Sequence, residues 1–213
     1  MAGRRIVDGS RGPNIQHSAK TTDWGTNRKV LDVVRYVLGG IDLDPCSSSY
    51  WNHYTVKAER FYDKRQDGLK QPWSGRVLLN PPGTDDADRA AVGAFDRRSV
   101  PRKFWERAID DYRHGRVECL AYIGFSLEQL TLLQGSMMHP LQFITLVPCE
   151  RQPFLARCPR NGPPIDGASP THGCFITVLP GMRSRGEARD RLLRFREVSS
   201  NLAMVPGALV RPV

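Results

Sequence analysis

At 213 residues, with 40% hydrophobic and 25% charged residues, the chain has length for one α/β domain with a full core, but not for two ordinary domains, and its composition excludes wholesale disorder. Against 22 Asp and Glu stand 31 Lys and Arg, a formal charge of +9 that favours a polyanionic partner, nucleic acid first, although a solvated basic surface gives the same sum. No apolar stretch approaches a membrane span and Met1-Ala2-Gly3-Arg4-Arg5 lacks the apolar segment of a signal peptide, so no membrane partner is expected and the cytoplasm is the expected location.

Residues 1–20, rich in Gly, Arg and Ser, show no apolar periodicity and are expected to form a flexible basic arm ahead of a single domain over 21–213. Val30, Leu31, Val33, Val34, Val37 and Leu38 recur at helical spacing, with Asn27 placed to cap the start and Gly39 to end the helix. A short strand follows over Gly40-Ile41-Asp42-Leu43, ending in Asp44-Pro45-Cys46 and a serine loop. An ordered stretch from Ala58 to Tyr62 leads to the turn signal Asp67-Gly68, and Arg76 to Leu79 makes the next strand. The polar segment Thr84 to Ser99 reads as a mobile loop. A helix is expected from Pro101 through Ile109, a strand over Val117 to Ile123, and a helix from Ser126 to Gln134. Leu141 to Val147 and Cys174 to Leu179 read as strands joined by a Pro- and Gly-rich connection, and Arg185 to Arg196 as a basic helix with a thin apolar face. Strands alternating with helices predict a largely parallel sheet with helices on both faces, whose ligands bind beyond the carboxyl ends of the strands.

Both Asp44-Pro45 and Asn80-Pro81 fall at such ends. Leu79-Asn80-Pro81-Pro82-Gly83 suits methyl transfer to a nitrogen whose lone pair is delocalised into a π-system. Such an NH2 group must be held by acceptors that draw on its hydrogens. The Asn80 carboxamide oxygen and the Pro81 carbonyl supply two, while the prolines fix φ and remove competing donors. Alone, the same tripeptide also reads as a strand end. The five cysteines, Cys46, Cys119, Cys149, Cys158 and Cys174, contain no CxxC pair and are odd in number, so reduced and mostly buried thiols are expected. A zinc site from Cys149, Cys158, His172 and Cys174 fits no compact knuckle spacing, and no metal is expected.

The order Thr22-Asp23-Trp24-Gly25-Thr26, Ile41-Asp42-Leu43-Asp44-Pro45-Cys46-Ser47, Asp67-Gly68-Leu69, Trp73, Asn80-Pro81-Pro82, Phe125-Ser126-Leu127-Glu128-Gln129, Pro148, Arg151, Phe154 and Ser169-Pro170-Thr171-His172-Gly173 resembles the phage-type DNA adenine methyltransferases, the Dam-like family. The resemblance spans roughly residues 20–180 and rests on the shared order of motifs that are individually unspecific. It implies a trimmed, Rossmann-like methyltransferase sheet, S-adenosylmethionine as donor and adenine in DNA as acceptor, with the host cytoplasm as the setting if the chain is phage-encoded. It implies that Asp42, Asp44 and Pro45 contact the methionine end of the donor, that Asp67 contacts its adenosine, and that Trp24 and Thr26 flank its pocket. Each has a structural alternative: Asp44 as a turn cap, Asp67 as servant of the Asp-Gly turn, Trp24 as a core anchor. Catalysis falls to Asn80, Pro81, Pro82 and Gly83, and phosphate contacts to Arg97, Arg98, Arg102, Lys103 and the tail from Arg183 to Arg196.

The family motif usually closes with an aromatic ring that stacks on the target base, where this chain has Gly83. Phe104, Trp105 and Phe125 are the candidates to supply that ring instead, each with a core role as its alternative. The interval from Asp42 to Asn80 is short for a second strand and its helix. Two other readings share these residues: a methyltransferase acting on RNA or a protein amide, and a DNA-binding or base-modifying protein on a decayed or diverged methyltransferase fold.

Overall fold

Residues 24–83, 99–160, 162–167 and 172–211 are described in the computed structural model. Their strands are β1 (Trp24–Gly25), β2 (Leu43–Asp44), β3 (Arg60–Phe61), β4 (Gly75–Leu79), β5 (Val117–Gly124), β6 (Ile144–Pro148), β7 (Leu155–Ala156), β8 (Ile165–Asp166), β9 (Phe175–Leu179) and β10 (Gly207–Val210). The α-helices are α1 (Arg28–Leu38), α2 (Ser49–Trp51, continued by one wider turn over Asn52–Val56), α3 (Val100–Arg113), α4 (Glu128–Leu132) and α5 (Arg185–Ser200).

Helix α1 forms as its sequence dictates. The Asn27 side chain accepts from Lys29 N at 2.8 Å, and Gly39 closes the helix at φ 81°, a conformation that costs glycine little. The six apolar positions between those caps are all buried.

The main sheet runs β10-β6-β9-β5-β4-β2-β3. It is α/β but mixed, which corrects the expectation of a largely parallel sheet: β3–β2, β2–β4 and β4–β5 pair parallel, whereas β5–β9, β9–β6 and β6–β10 pair antiparallel. The reason lies in the segment between β6 and β9. Among its described residues no helix carries the chain back across the sheet, and β9 enters from the end where β6 stops. Side chains alternate along β5, with Cys119, Ala121 and Ile123 joining the core under α1 and α5, and Leu120 and Tyr122 joining the core under α3. Helices therefore cover both faces. The short interval after β2 does hold a second strand, cut to two residues as β3, beside Leu43 and Asp44.

Other boundaries depart from the sequence pattern. β2 is Leu43–Asp44 where the sequence predicts Gly40 to Leu43. α5 runs on to Ser200 because Val198 as well as Phe195 is buried against the sheet. A separate sheet, β1-β7-β8, joins residues far apart in sequence.

Candidate functional site at the carboxyl ends of β2 and β4

From β2 the chain turns outward to β3, and from β4 it turns the other way to β5. The crevice between the carboxyl ends of these two neighbours is thus the point where strand order reverses, the place where open α/β sheets bind ligands. Leu43 pairs with Val77, which puts Asp44-Pro45-Cys46 and Asn80-Pro81 on the same edge of the sheet. The connection between β6 and β9 begins and ends on this edge as well, and its strand β7 pairs with β1, Trp24 against Ala156 and Gly25 against Leu155.

These elements converge on Asn80. Its Nδ2 donates to Thr26 Oγ1 at 2.7 Å, and Thr26 is buried. With the amide nitrogen committed to Thr26, the carboxamide oxygen is the atom presented as acceptor. Pro81 is buried and Pro82 exposed, so the turn leaves the sheet immediately. Asn27 reinforces the arrangement, donating from Nδ2 to Pro153 O at 3.0 Å and tying the start of α1 to the approach to β7.

Asp44 is 4% exposed and accepts from Cys46 N at 3.0 Å. Burial pushes its carboxyl up to about 7, against the opposing pull of the Cys46 N–H and the Ser47 hydroxyl. The Cys46 thiol is pushed up by burial and by the charge of Asp44, and partly held down by the backbone N–H of Asn80. Asp44, Cys46 and Asn80 thus form one continuous lining. The Asp67-Gly68 turn locks onto it: a Cβ at Gly68 would lie inside the contact radius of the Pro45 carbonyl oxygen, and Trp73 Nε1 donates to Gly68 O at 2.7 Å.

Other expected site residues sit differently. Asp42 lies outside the crevice, at the amino ends of β2 and β4, where its neighbour is Arg76 rather than Asn80. Its carboxylate accepts from Arg76 N at 2.8 Å and from Arg76 Nε at 2.9 Å, and although burial works to raise it, these bonds and the guanidinium charge hold it below its ordinary value. Four strand residues separate the two levels, roughly 13 Å. Asp67 has its carboxylate on the turn itself, accepting from Leu69 N at 3.2 Å and pairing with Lys70 Nζ at 2.9 Å. Trp24 is half-buried against Phe154, ring centroids 6.3 Å apart, one residue before the Gly25 that leads to Thr26.

The candidate rings separate clearly. Trp105 is 0% and Phe104 6% exposed, both within the core beneath α3. Phe125 is half-buried just past β5, and a Cβ built on Gly83 would stand 3.6 Å from its Cζ. Phe125 therefore faces the position at which the sequence has no side chain. Glycine at 83 leaves the space that the ring borders.

Arg97 and Arg98 lie outside the described residues, as do Ser169, Pro170 and Thr171. Arg102 begins α3 on the site's edge but is held by Glu106 Oε1 at 2.8 Å and Gly135 O at 2.8 Å; Lys103 beside it is half-buried. The expectation of mostly buried thiols is corrected: Cys119 is buried, Cys46, Cys158 and Cys174 are half-buried and Cys149 is exposed, all five free. Their short strands and loops leave the side chains near the surface. Among the described residues no cluster of His, Cys, Asp or Glu is arranged to hold a metal, and no helix is long and apolar enough to cross a membrane.

No family model, curated protein or solved structure matches the chain.

Proposed function

We propose that the protein is an S-adenosylmethionine-dependent methyltransferase of Rossmann-like architecture, acting on the exocyclic amino group of adenine in DNA. One observation carries the reading: at the switch point of the sheet, the hydrogen bond from Asn80 to Thr26 fixes a carboxamide oxygen beside a Pro-Pro turn. That geometry fits capture of an NH2 group by the Asn80 oxygen and the Pro81 carbonyl, with the base everted from the duplex. Accepting both amino hydrogens turns the nitrogen lone pair away from the ring's π-system, and the excess proton leaves to water, so no residue of tuned basicity is required.

The residues on the same edge suit the donor. Asp44 is a carboxyl that burial raises to about 7, and an ammonium group beside it would favour its ionised form. When bound, S-adenosylmethionine supplies a sulfonium-activated methyl group. Asp44 would hold its amino-acid end, with Pro45 and Thr26 flanking it and Asp67 at the rim. Phe125, facing Gly83, supplies the ring against which the everted adenine rests. Exposed Arg and Lys side chains, within a chain of net charge +9, supply the attraction for phosphates.

The test is incubation of duplex DNA with labelled donor, followed by nucleoside analysis. The expected product is N6-methyladenine; label in RNA or protein but not in DNA reassigns the acceptor, and label in none of them ends the reading.

A further inference from the structure

Helix α1 opens with two cations where helices ordinarily carry acids. Arg28 and Lys29 stand in its first turn, which holds no acidic residue, so their charge opposes the helix dipole. Both side chains are exposed, and among the described residues neither has a hydrogen-bond or ion-pair partner. The acid one turn further on, Asp32, is engaged by Arg35, Nη1 to Oδ1 at 2.8 Å. The free charge belongs to the side chains rather than to the backbone, since the Asn27 side chain already accepts from Lys29 N at 2.8 Å.

The pair stands at the crevice. It follows directly on Thr26, which holds Asn80, and Asn27, which holds Pro153 O. From there α1 runs back to Gly39, whose carbonyl accepts from Arg76 on β4, so the start of the helix marks the carboxyl edge of the sheet and its end the amino edge. The basic residues to which the sequence points do not fill this place. Arg102 is held by Glu106 and Gly135 O. Arg185 and Arg189 lie on the turns ahead of Arg191, which binds Glu118 and the Pro180 carbonyl at the amino end of β5.

We propose that Arg28 and Lys29 bind the DNA phosphates that flank the everted adenine. The inference rests on the DNA reading above and assigns residues to a contact that reading leaves open. Two unpaired cations set against a helix dipole lower the stability of the free protein, and a polyanion arriving at the crevice compensates them. A phosphate contact needs no cavity: an exposed cation gains by releasing the counterions of the DNA, whatever its sequence. The carboxylate of the donor is the other anion the crevice would receive, and donor affinity separates the two.

The experiment titrates a fluorescent duplex oligodeoxynucleotide of mixed sequence with the full chain over a range of salt, and measures donor affinity by calorimetry. The variants are Arg28→Gln, Lys29→Gln and the double reversal Arg28→Glu with Lys29→Glu. Lys57→Gln is the control, because Lys57 is also exposed but precedes β3 at the amino edge. Arg28→Gln and Lys29→Gln each flatten the slope of log affinity against log salt by about 0.9, with donor affinity unchanged, whereas Lys57→Gln keeps the wild-type slope. The double reversal melts about 2–4 °C above the wild type, because acids now occupy the helix start, and yet binds DNA more weakly, which separates lost binding from lost folding. If the two glutamine variants move the slope no more than the control, or the double reversal lowers the melting temperature, the inference falls alone. Should donor affinity fall while the slope holds, the pair serves the donor's carboxylate, and the inference falls while methyl transfer stands. If the wild type itself binds no DNA, the DNA reading falls and the inference with it.

Discussion

Asn80 Nδ2 and Thr26 Oγ1 meet at 2.7 Å, joining the end of β4 to a strand 54 residues upstream in the sequence. The bond decides which end of the carboxamide faces the crevice. Asn80→Ala is expected to remove methyl transfer while leaving donor binding largely intact, since the proposed donor contacts come from β2. Thr26→Val should lower kcat by roughly tenfold, equivalent to one neutral hydrogen bond, and Thr26→Ser should restore it. Single-turnover kinetics and donor titration measure the two effects separately; near-normal turnover in Asn80→Ala refutes the assignment of the acceptor.

Asp44 gives a pH dependence whose sign follows from its raised pKa. Between the ordinary carboxylate value of 3.8 and about 7, the folded protein keeps a proton that the unfolded chain has released. The group's contribution is therefore full below pH 3.8 and gone above about pH 7, a fall on the order of 4 kcal/mol across that window. Asp44→Asn removes the ionisation and should stabilise the protein at pH 8 by about 1–3 kcal/mol, with no gain at pH 4, while abolishing donor binding. Urea denaturation at the two pH values checks the first statement. Calorimetric titration checks the second, and wild-type donor affinity should fall about tenfold per pH unit below 7.

Phe125 beside Gly83 predicts a difference between two changes at one ring. Phe125→Ala should weaken binding of DNA containing the target base by about 1–3 kcal/mol, whereas Phe125→Tyr keeps a stacking face and should stay close to wild type. Equal losses in both variants would assign Phe125 to packing instead.

Gly68→Ala brings a methyl group into the Pro45 carbonyl, a backbone atom that cannot move aside cheaply. A destabilisation of about 3 kcal/mol or more is expected, with donor binding lost in whatever remains folded, because the loop carrying Asp44 is displaced. Thermal melting with and without donor reports both.

The thiols should react in order of access. Cys149 is exposed and Cys119 buried, the latter pushed up to about 12 by burial. A colorimetric disulfide reagent should label Cys149 within the mixing time and leave Cys119 untouched until the protein unfolds, which mass spectrometry of the labelled peptides resolves.

What the sequence made legible was whatever is set by neighbours along the chain. The caps of α1 at Asn27 and Gly39, the strand leading to Asn80 and the turn at Asp67-Gly68 were all readable from local chemistry, as was the placing of Asp44 and Asn80 at strand ends. What pairing at a distance decides was not. The two residues of β1 become a strand only against Leu155 and Ala156, and β10, Gly207–Val210, only against β6, since such short segments carry no periodicity. Asp42 misled for the same reason: it shares a motif with Asp44, but the register that pairs Leu43 with Val77 sets it beside Arg76 at the amino end of β2. Phe125 stands apart from the other two rings only through its place beside Gly83 in the fold.

The return of β9 from the same side as β6 also has a consequence in time. Strand β1 and Asn27 leave the ribosome well before their partners Leu155, Ala156 and Pro153. β9, inserted between β5 and β6, comes later still. A nascent chain carrying every residue of the Asn-Pro-Pro turn is therefore still without the partners that anchor the turn's surroundings.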